Sequence, residues 1–175
     1  MTDLVLPELV IDVTPTFVVA SAIATRDFQD VHHDRDRAVE RGSKDIFVNI
    51  LTTTGLVQRY VTDWAGPEAL VRKVAIRLGV PCYAGDTLTF SGRAATGAAD
   101  GEVEVMVTGR CSLGDHVTGT VRLVLPPGNE ELVPSMCQRA PSMQPEGTSI
   151  PPAGEAAAAG VAAAAGEADA AGERA

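Results

Sequence analysis

The stretch DIFVNILTTTGLVQRYVTDW, residues 45–64, decides how the chain is built. Ile50, Leu51, Thr54, Val57 and Val61 recur within it at steps of three and four, which is the spacing of one helical face and not of a strand. Thr52-Thr53-Thr54-Gly55 is a poor helix former by intrinsic preference. Small residues on a central helix, however, let a sheet close tightly around it, so packing can override propensity. Gly66-Pro67 ends the element.

C-terminal to this helix the period changes from 3.6 to two. Val74, Ile76 and Leu78 alternate with Lys73, Ala75 and Arg77; Leu88 and Phe90 alternate with Thr87, Thr89 and Ser91. Val103, Val105 and Val107 alternate with Glu102, Glu104 and Met106, and Val117, Val121 and Leu123 with Thr118, Thr120 and Arg122. One apolar and one polar face per segment predicts an antiparallel sheet packed on one side. Ala84-Gly85-Asp86, Ala99-Asp100-Gly101 and Leu113-Gly114-Asp115 are turn chemistry between these strands.

N-terminal to the helix, residues 2–15 read as extended, with an edge strand expected at the start. Thr16–Val19 reads as β-prone, Ala20–Thr25 as a short helix or further extended chain, and Arg26–Asp36 as loop. A short polar helix is expected over Asp36–Arg41. The expected fold class is α+β, with a four-strand antiparallel run wrapped on one long helix.

Composition divides the 175 residues in two. From Pro126 the pattern collapses into Pro, Gly and Ser, and 13 of the last 25 residues are Ala, interrupted by Gly160, Gly166 and Gly172. Residues 126–175 are therefore expected to be a disordered tail, and residues 1–125 the folded domain. The net charge of −9 follows the division: the tail carries seven acids and two bases, leaving sixteen acids and twelve bases to the core. A mildly acidic core without a basic run argues against nucleic acid as a partner. Cys82, Cys111 and Cys137 form neither a C-x-x-C pair nor a disulfide framework. With no apolar run of membrane-spanning length and no signal-peptide build at Met1-Thr2-Asp3-Leu4, the expected address is the cytoplasm, with no membrane association.

The densest reactive cluster is Asp27-Phe28-Gln29-Asp30-Val31-His32-His33-Asp34. By composition alone it is a solvated polar turn, and three functional readings stand beside that one. Asp27 and His32 can converge on one water as an acid/base pair. His32, His33 and Asp34 can bind a metal, although the β-patterned chain that follows offers only His116 as a further histidine. Cys82 or Cys111 can pair with His32 as a nucleophile, without any local signature for it.

The same residues carry a resemblance. The MaoC-like (R)-specific enoyl-CoA hydratases have a loop of pattern D-x-N-P-[ILV]-H-x-[DN]; here Asp27, Val31, His32 and Asp34 fall in register with it. Pro81-Cys82-Tyr83-Ala84-Gly85-Asp86-Thr87-Leu88 matches the family's Pro-x-x-x-Gly-Asp-[ST]-Leu element, and the resemblance spans residues 15–125. It implies a single hot-dog fold and an Asp27/His32 dyad that adds water across the 2,3 double bond of a 2-enoyl-CoA, with no cofactor and no metal. The family's loop Asn-Pro is Gln29-Asp30 here, and the His-Gly that opens its central helix is Val48-Asn49. The resemblance thus assigns substrate contacts to Val48, Asn49 and Thr25, the Asn49 N–H facing the thioester oxygen.

Residues 24–67 further resemble the small MaoC-like subunits of hydratases acting on steroid side-chain enoyl-CoA esters. That implies an acyl-CoA thioester as substrate and, as partner, a second, longer MaoC-like chain lacking the dyad, in a heterodimer or heterotetramer; a homodimer is the alternative. Two other functions compete. A hot-dog acyl-CoA thioesterase would need a carboxylate on the central helix, and none occurs between Ile46 and Tyr60. A non-catalytic subunit completing a partner's acyl-CoA pocket would have no use for the dyad. Arg72, Lys73 and Arg77 read as the polar face of their strand or as contacts to CoA phosphates, and His116 as a hairpin-turn residue.

Overall fold

The structure, a computed structural model, describes residues 4–96 and 101–125. The segment expected as a tail lies outside the described residues, as does part of the turn at Ala99-Asp100.

Five strands form one antiparallel sheet: β1 (Leu4–Val13), β2 (Leu70–Leu78), β3 (Asp86–Thr96), β4 (Glu102–Cys111) and β5 (Gly114–Val124), in the order β1-β3-β4-β5-β2. The period-two segments are the four strands they predict, and the first strand is an edge strand as expected. The helices are α1 (Pro15–Ala24), α2 (Arg35–Glu40) and α3 (Ile50–Ala65), with a 3₁₀ turn at Asp30–His32.

Three local expectations are corrected. Thr16–Val19 is helical and not β-prone: Thr14 Oγ1 accepts the Phe17 N–H at 3.0 Å and Pro15 occupies the first helical turn, so capping outweighs the β-branched composition. The central helix starts at Ile50 and not at Asp45, because Asn49 is its N-cap and accepts the Thr52 N–H at 2.8 Å. Its buried stripe is also turned from the one read above. Ile50 and Leu51 are each 51% exposed, whereas Thr52, Thr53, Leu56, Val57, Tyr60, Val61 and Trp64 are buried.

That stripe packs on the inward row of the sheet, which includes Leu88, Phe90, Val105, Val107, Val121 and Leu123. Each fully buried aliphatic contributes about 1.5–3 kcal/mol. Tyr60 stacks on Phe90 with centroids 5.8 Å apart. The helix lies close to the sheet because Gly92 faces it: a Cβ there would stand 3.0 Å from the Tyr60 ring and 3.1 Å from the Met106 carbonyl. The missing Cβ of Gly92 thus leaves room for the Tyr60 ring between α3 and the sheet.

Candidate active site

Asp27 is placed by the way α1 ends. The Arg26 N–H donates to Ile23 O (3.0 Å) and the Asp27 N–H to Ala22 O (2.9 Å). These are the two bonds of a Schellman cap, with Arg26 at the left-handed position (φ +57°) usually filled by glycine. A residue with a Cβ there costs about 1–2 kcal/mol. The cost is borne at the position that aims the next residue, Asp27, across to α3.

His32 is placed by the 3₁₀ turn and by the strand-like segment leading into α3. Its N–H donates to Gln29 O (3.0 Å), and its ring packs edge-on against Phe47 with centroids 4.8 Å apart. Nδ1 lies 2.8 Å from Phe47 O. A carbonyl only accepts, so Nδ1 carries a proton, which leaves Nε2 as the ring nitrogen that can accept. That Nε2 stands 3.6 Å from Asp27 Oδ2, with side-chain exposures of 9% for His32 and 15% for Asp27. Ion pairs Arg41–Asp30 (2.7 Å) and Arg35–Asp45 (2.8 Å) tie down the loop on either side. The Arg35 hydrogen bond holds the Asp45 carboxyl below its ordinary range.

The helix α3 N-terminus closes the site. Asn49 is buried, and its Nδ2 donates to Asp27 Oδ2 (3.0 Å) and to Thr25 Oγ1 (2.8 Å). Thr25 Oγ1 in turn donates to Ser21 O at 2.8 Å. Asp27, His32, Thr25 and Asn49 are thus brought together. Val48 is not brought in by its amide, which donates to Cys82 O (3.0 Å) while its side chain is buried in the core. The N–H groups at the start of α3 carry the positive end of that helix's dipole.

The other readings of the loop come apart. His33 Nε2 bonds Phe28 O (3.1 Å) and Asp34 caps α2 by accepting the Arg37 N–H (3.1 Å), so His32, His33 and Asp34 point to three different partners. Cys82 and Cys111 lie near each other and near Asp86. Burial pushes the Cys82 thiol up to about 12, which leaves no thiolate for nucleophilic attack near neutral pH. The Asp86 oxygens accept from Ser112 Oγ (2.6 Å) and the Thr87 N–H (2.7 Å). An open polar recess on the sheet, lined by residues such as Thr89, Thr108 and Arg110, contains neither Asp27 nor His32.

Two residues go beyond the sequence reading. His116 lies in β5 and not in a turn; it is buried, with Nδ1 bonded to Val80 O (2.8 Å) and Nε2 2.9 Å from Thr53 Oγ1. Burial lowers its pKa, against the raising effect of the Val80 carbonyl. Thr53 Oγ1 also lies 3.1 Å from Asn49 O, so this network backs onto the α3 N-terminus. The Asn49 side chain is the second. Its signal in the sequence was the Asn three residues before Thr52, an N-cap pattern inside the apolar run.

No helix among the described residues is long and apolar enough to cross a membrane. No family model matches the chain. The chain is 68% identical over 119 residues to the 3-oxo-4,17-pregnadiene-20-carboxyl-CoA hydratase beta subunit of Mycobacterium tuberculosis, covering 68% of this chain and 92% of that protein. Among solved structures it is similar to the ChsH1-ChsH2 complex of M. tuberculosis, with a TM-score of 0.69 and 64% identity, covering 72% of this chain and 98% of the other. The (R)-hydratase of A. caviae involved in PHA biosynthesis shares the fold at a TM-score of 0.64 and 18% identity, covering 71% of this chain and 95% of that one. At 68% identity over 119 residues that span 92% of a curated CoA hydratase beta subunit, this chain belongs to that hydratase subunit's family, and its sheet-on-helix architecture is the MaoC-like hot-dog fold shared by the (R)-hydratases.

Proposed function

We propose that the chain is the catalytic subunit of a hydratase adding water across the 2,3 double bond of a bulky 2-enoyl-CoA, a steroid side-chain ester, with Asp27 and His32 as the dyad. The observation that carries this is the 3.6 Å separation of Asp27 Oδ2 and His32 Nε2. That gap is long for a direct hydrogen bond. One water oxygen about 2.8 Å from both atoms would subtend roughly 80° between them, so both can grip the same water.

In the proposed step the water oxygen bonds to the β-carbon and the alkene π electrons move toward the thioester carbonyl. His32 Nε2 takes one water proton and returns it to the α-carbon on the same face, so the elements of one water are added. Asp27 accepts a hydrogen bond from the second water hydrogen, which stays on the oxygen as the product hydroxyl, and faces the imidazolium as it forms. Negative charge gathers on the thioester oxygen, where the Asn49 N–H and the α3 N-terminus supply fixed dipoles. One such donor is worth about 2.7–4 kcal/mol in other enzymes.

The acyl group and the partner are read from the same surroundings. Phe28 in the loop, Ile23 near the end of α1, and Ile50 and Leu51 next to Asn49 at the start of α3 are exposed, which suits a large apolar group or a second chain over the site. The beta-subunit name of the M. tuberculosis relative and the heteromeric complex it resembles support a second MaoC-like chain as that partner. The only acid on α3 is Asp63, exposed and paired with Arg59 at 3.2 Å, which does not suit a thioesterase. Cytoplasmic localisation belongs to the same proposal.

The test is hydration of a steroid enoyl-CoA by the chain with its partner, followed as loss of the conjugated ultraviolet absorbance. Asp27→Asn and His32→Ala each lower kcat by about 10²–10⁴-fold with the fold intact by circular dichroism. Retention of most of the rate in either variant refutes the dyad.

A further inference from the structure

We infer that the Asn49 side chain is a positioning residue for hydration, its amide holding the Asp27 carboxylate turned toward His32 while its oxygen caps α3. This rests on the dyad proposed above and assigns it a part that the backbone of Asn49 does not play.

Capping alone does not call for asparagine. An N-cap needs one side-chain acceptor, which Ser, Thr or Asp provides equally. Asn49 Oδ1 performs that task by accepting the Thr52 N–H, and its two Nδ2 hydrogens are spent elsewhere, one on Asp27 Oδ2 and one on Thr25 Oγ1. The orientation of the amide is chemically forced. A carboxylate only accepts and a backbone N–H only donates, so NH₂ faces Asp27 and oxygen faces Thr52.

The carboxylate has little else to hold it. Rotation about the last side-chain bond of Asp is soft. Among the described residues Asp27 Oδ1 receives only a long 3.4 Å contact from the Gln29 N–H, whereas Oδ2, the oxygen facing His32 Nε2, takes the 3.0 Å bond from Asn49. Thr25, itself pinned to Ser21 O, fixes the second amide hydrogen and so sets the plane of the amide. One buried side chain therefore locks the carboxylate and the helix start that faces the thioester oxygen into a fixed mutual placement. Gln29, the loop amide nearest in sequence, is exposed and takes no part through its side chain among the described residues.

The experiment compares variants of the full chain assembled with its hydratase partner. Asn49→Ser keeps the cap but cannot reach Asp27. Asn49→Asp keeps the cap and places a second carboxylate where the amide was. The backbone N–H persists in both. With wild-type melting behaviour as the control, kcat falls about 10²-fold in each, the order of a ~1 Å misplacement, with KM changed less than threefold. In Asn49→Asp the acid limb of the kcat–pH profile also moves up by a unit or more, since two carboxylates then share a proton; in Asn49→Ser it does not move. Thr25→Val loses rate and Thr25→Ser recovers most of it. If kcat in both Asn49 variants stays within threefold of wild type and the acid limb does not move, Asn49 is a cap only. Asp27→Asn, run alongside, separates the two ideas: an active Asp27→Asn overturns the dyad, whereas an inactive one beside active Asn49 variants overturns only the positioning role.

Discussion

Replacing Thr53 by Val removes one hydroxyl from the first turns of α3 and leaves the shape of the side chain almost unchanged. The structure says what that hydroxyl does. His116 Nδ1 lies 2.8 Å from a carbonyl, Val80 O, so it carries the ring proton, and burial keeps the ring neutral. Nε2 is then an acceptor, and the Thr53 hydroxyl 2.9 Å away must donate to it. Its one proton cannot also serve Asn49 O at 3.1 Å, which already accepts the Thr53 N–H at 3.0 Å. Thr53→Val therefore strands the Nε2 lone pair in a core where His116 is only 3% exposed. An unsatisfied buried acceptor costs about 1–3 kcal/mol, and helix propensities of Thr and Val are too similar to offset it. With an m-value of about 2 kcal/mol/M in urea, a 2 kcal/mol loss lowers the unfolding midpoint by about 1 M. Thr53→Ser, which keeps the hydroxyl, should retain the hydrogen-bond part of the stability. A midpoint for Thr53→Val within about 0.2 M of wild type refutes the reasoning, since the bond would then contribute nothing.

His116 also sets a pH dependence. Its folded-state pKa lies below the unfolded value of about 6.5, so the unfolded chain binds the proton more readily. Stability is full above about 6.5 and declines as pH falls from there toward the folded-state value; urea midpoints measured across this window check it, and a midpoint that rises on acidification contradicts it. Arg26→Gly removes the left-handed strain of about 1–2 kcal/mol and gives back about 0.4–1 kcal/mol through the freer unfolded chain, for a net gain of up to about 1.6 kcal/mol. Arg26→Val, β-branched at φ +57°, moves the other way. Equal midpoints for the two variants would mean that the Schellman cap does not hold Asp27 in place.

Much of the architecture was readable in one dimension. Alternation at Val103–Val107 or Leu88–Phe90 reports which residues of a strand face the core, because neighbouring strand side chains point to opposite faces whatever the strand pairs with. The errors fell where a capping bond outweighs composition. Thr16–Val19 is β-branched and aromatic yet helical behind the Thr14 cap, and Asp45–Asn49 shares the apolar character of α3 without being part of it. The stripe on α3 was misread because Ile50 and Leu51 are apolar and exposed while Thr52 and Thr53 are polar and buried. Burial of a threonine depends on the partner its hydroxyl finds, and Thr53 finds His116 63 residues away.

The candidate site divides along the same line. Asp27 and His32 are five residues apart, close enough for a short turn to bring them together, but their local order left a solvated turn, a metal site and a nucleophile open beside the acid/base pair that the resemblance singles out. The residues bonded to the proposed dyad come from far along the chain: Phe47 O faces Nδ1 of His32, and Asn49 bonds Asp27 across 22 residues. Residue identity determined which groups are able to carry the chemistry and which faces are apolar, because side-chain acidity and the period of a strand are local properties. Which oxygen faces which nitrogen was decided only by the tertiary fold, because an orientation bond between distant residues exists only once α1 and the start of α3 are packed together.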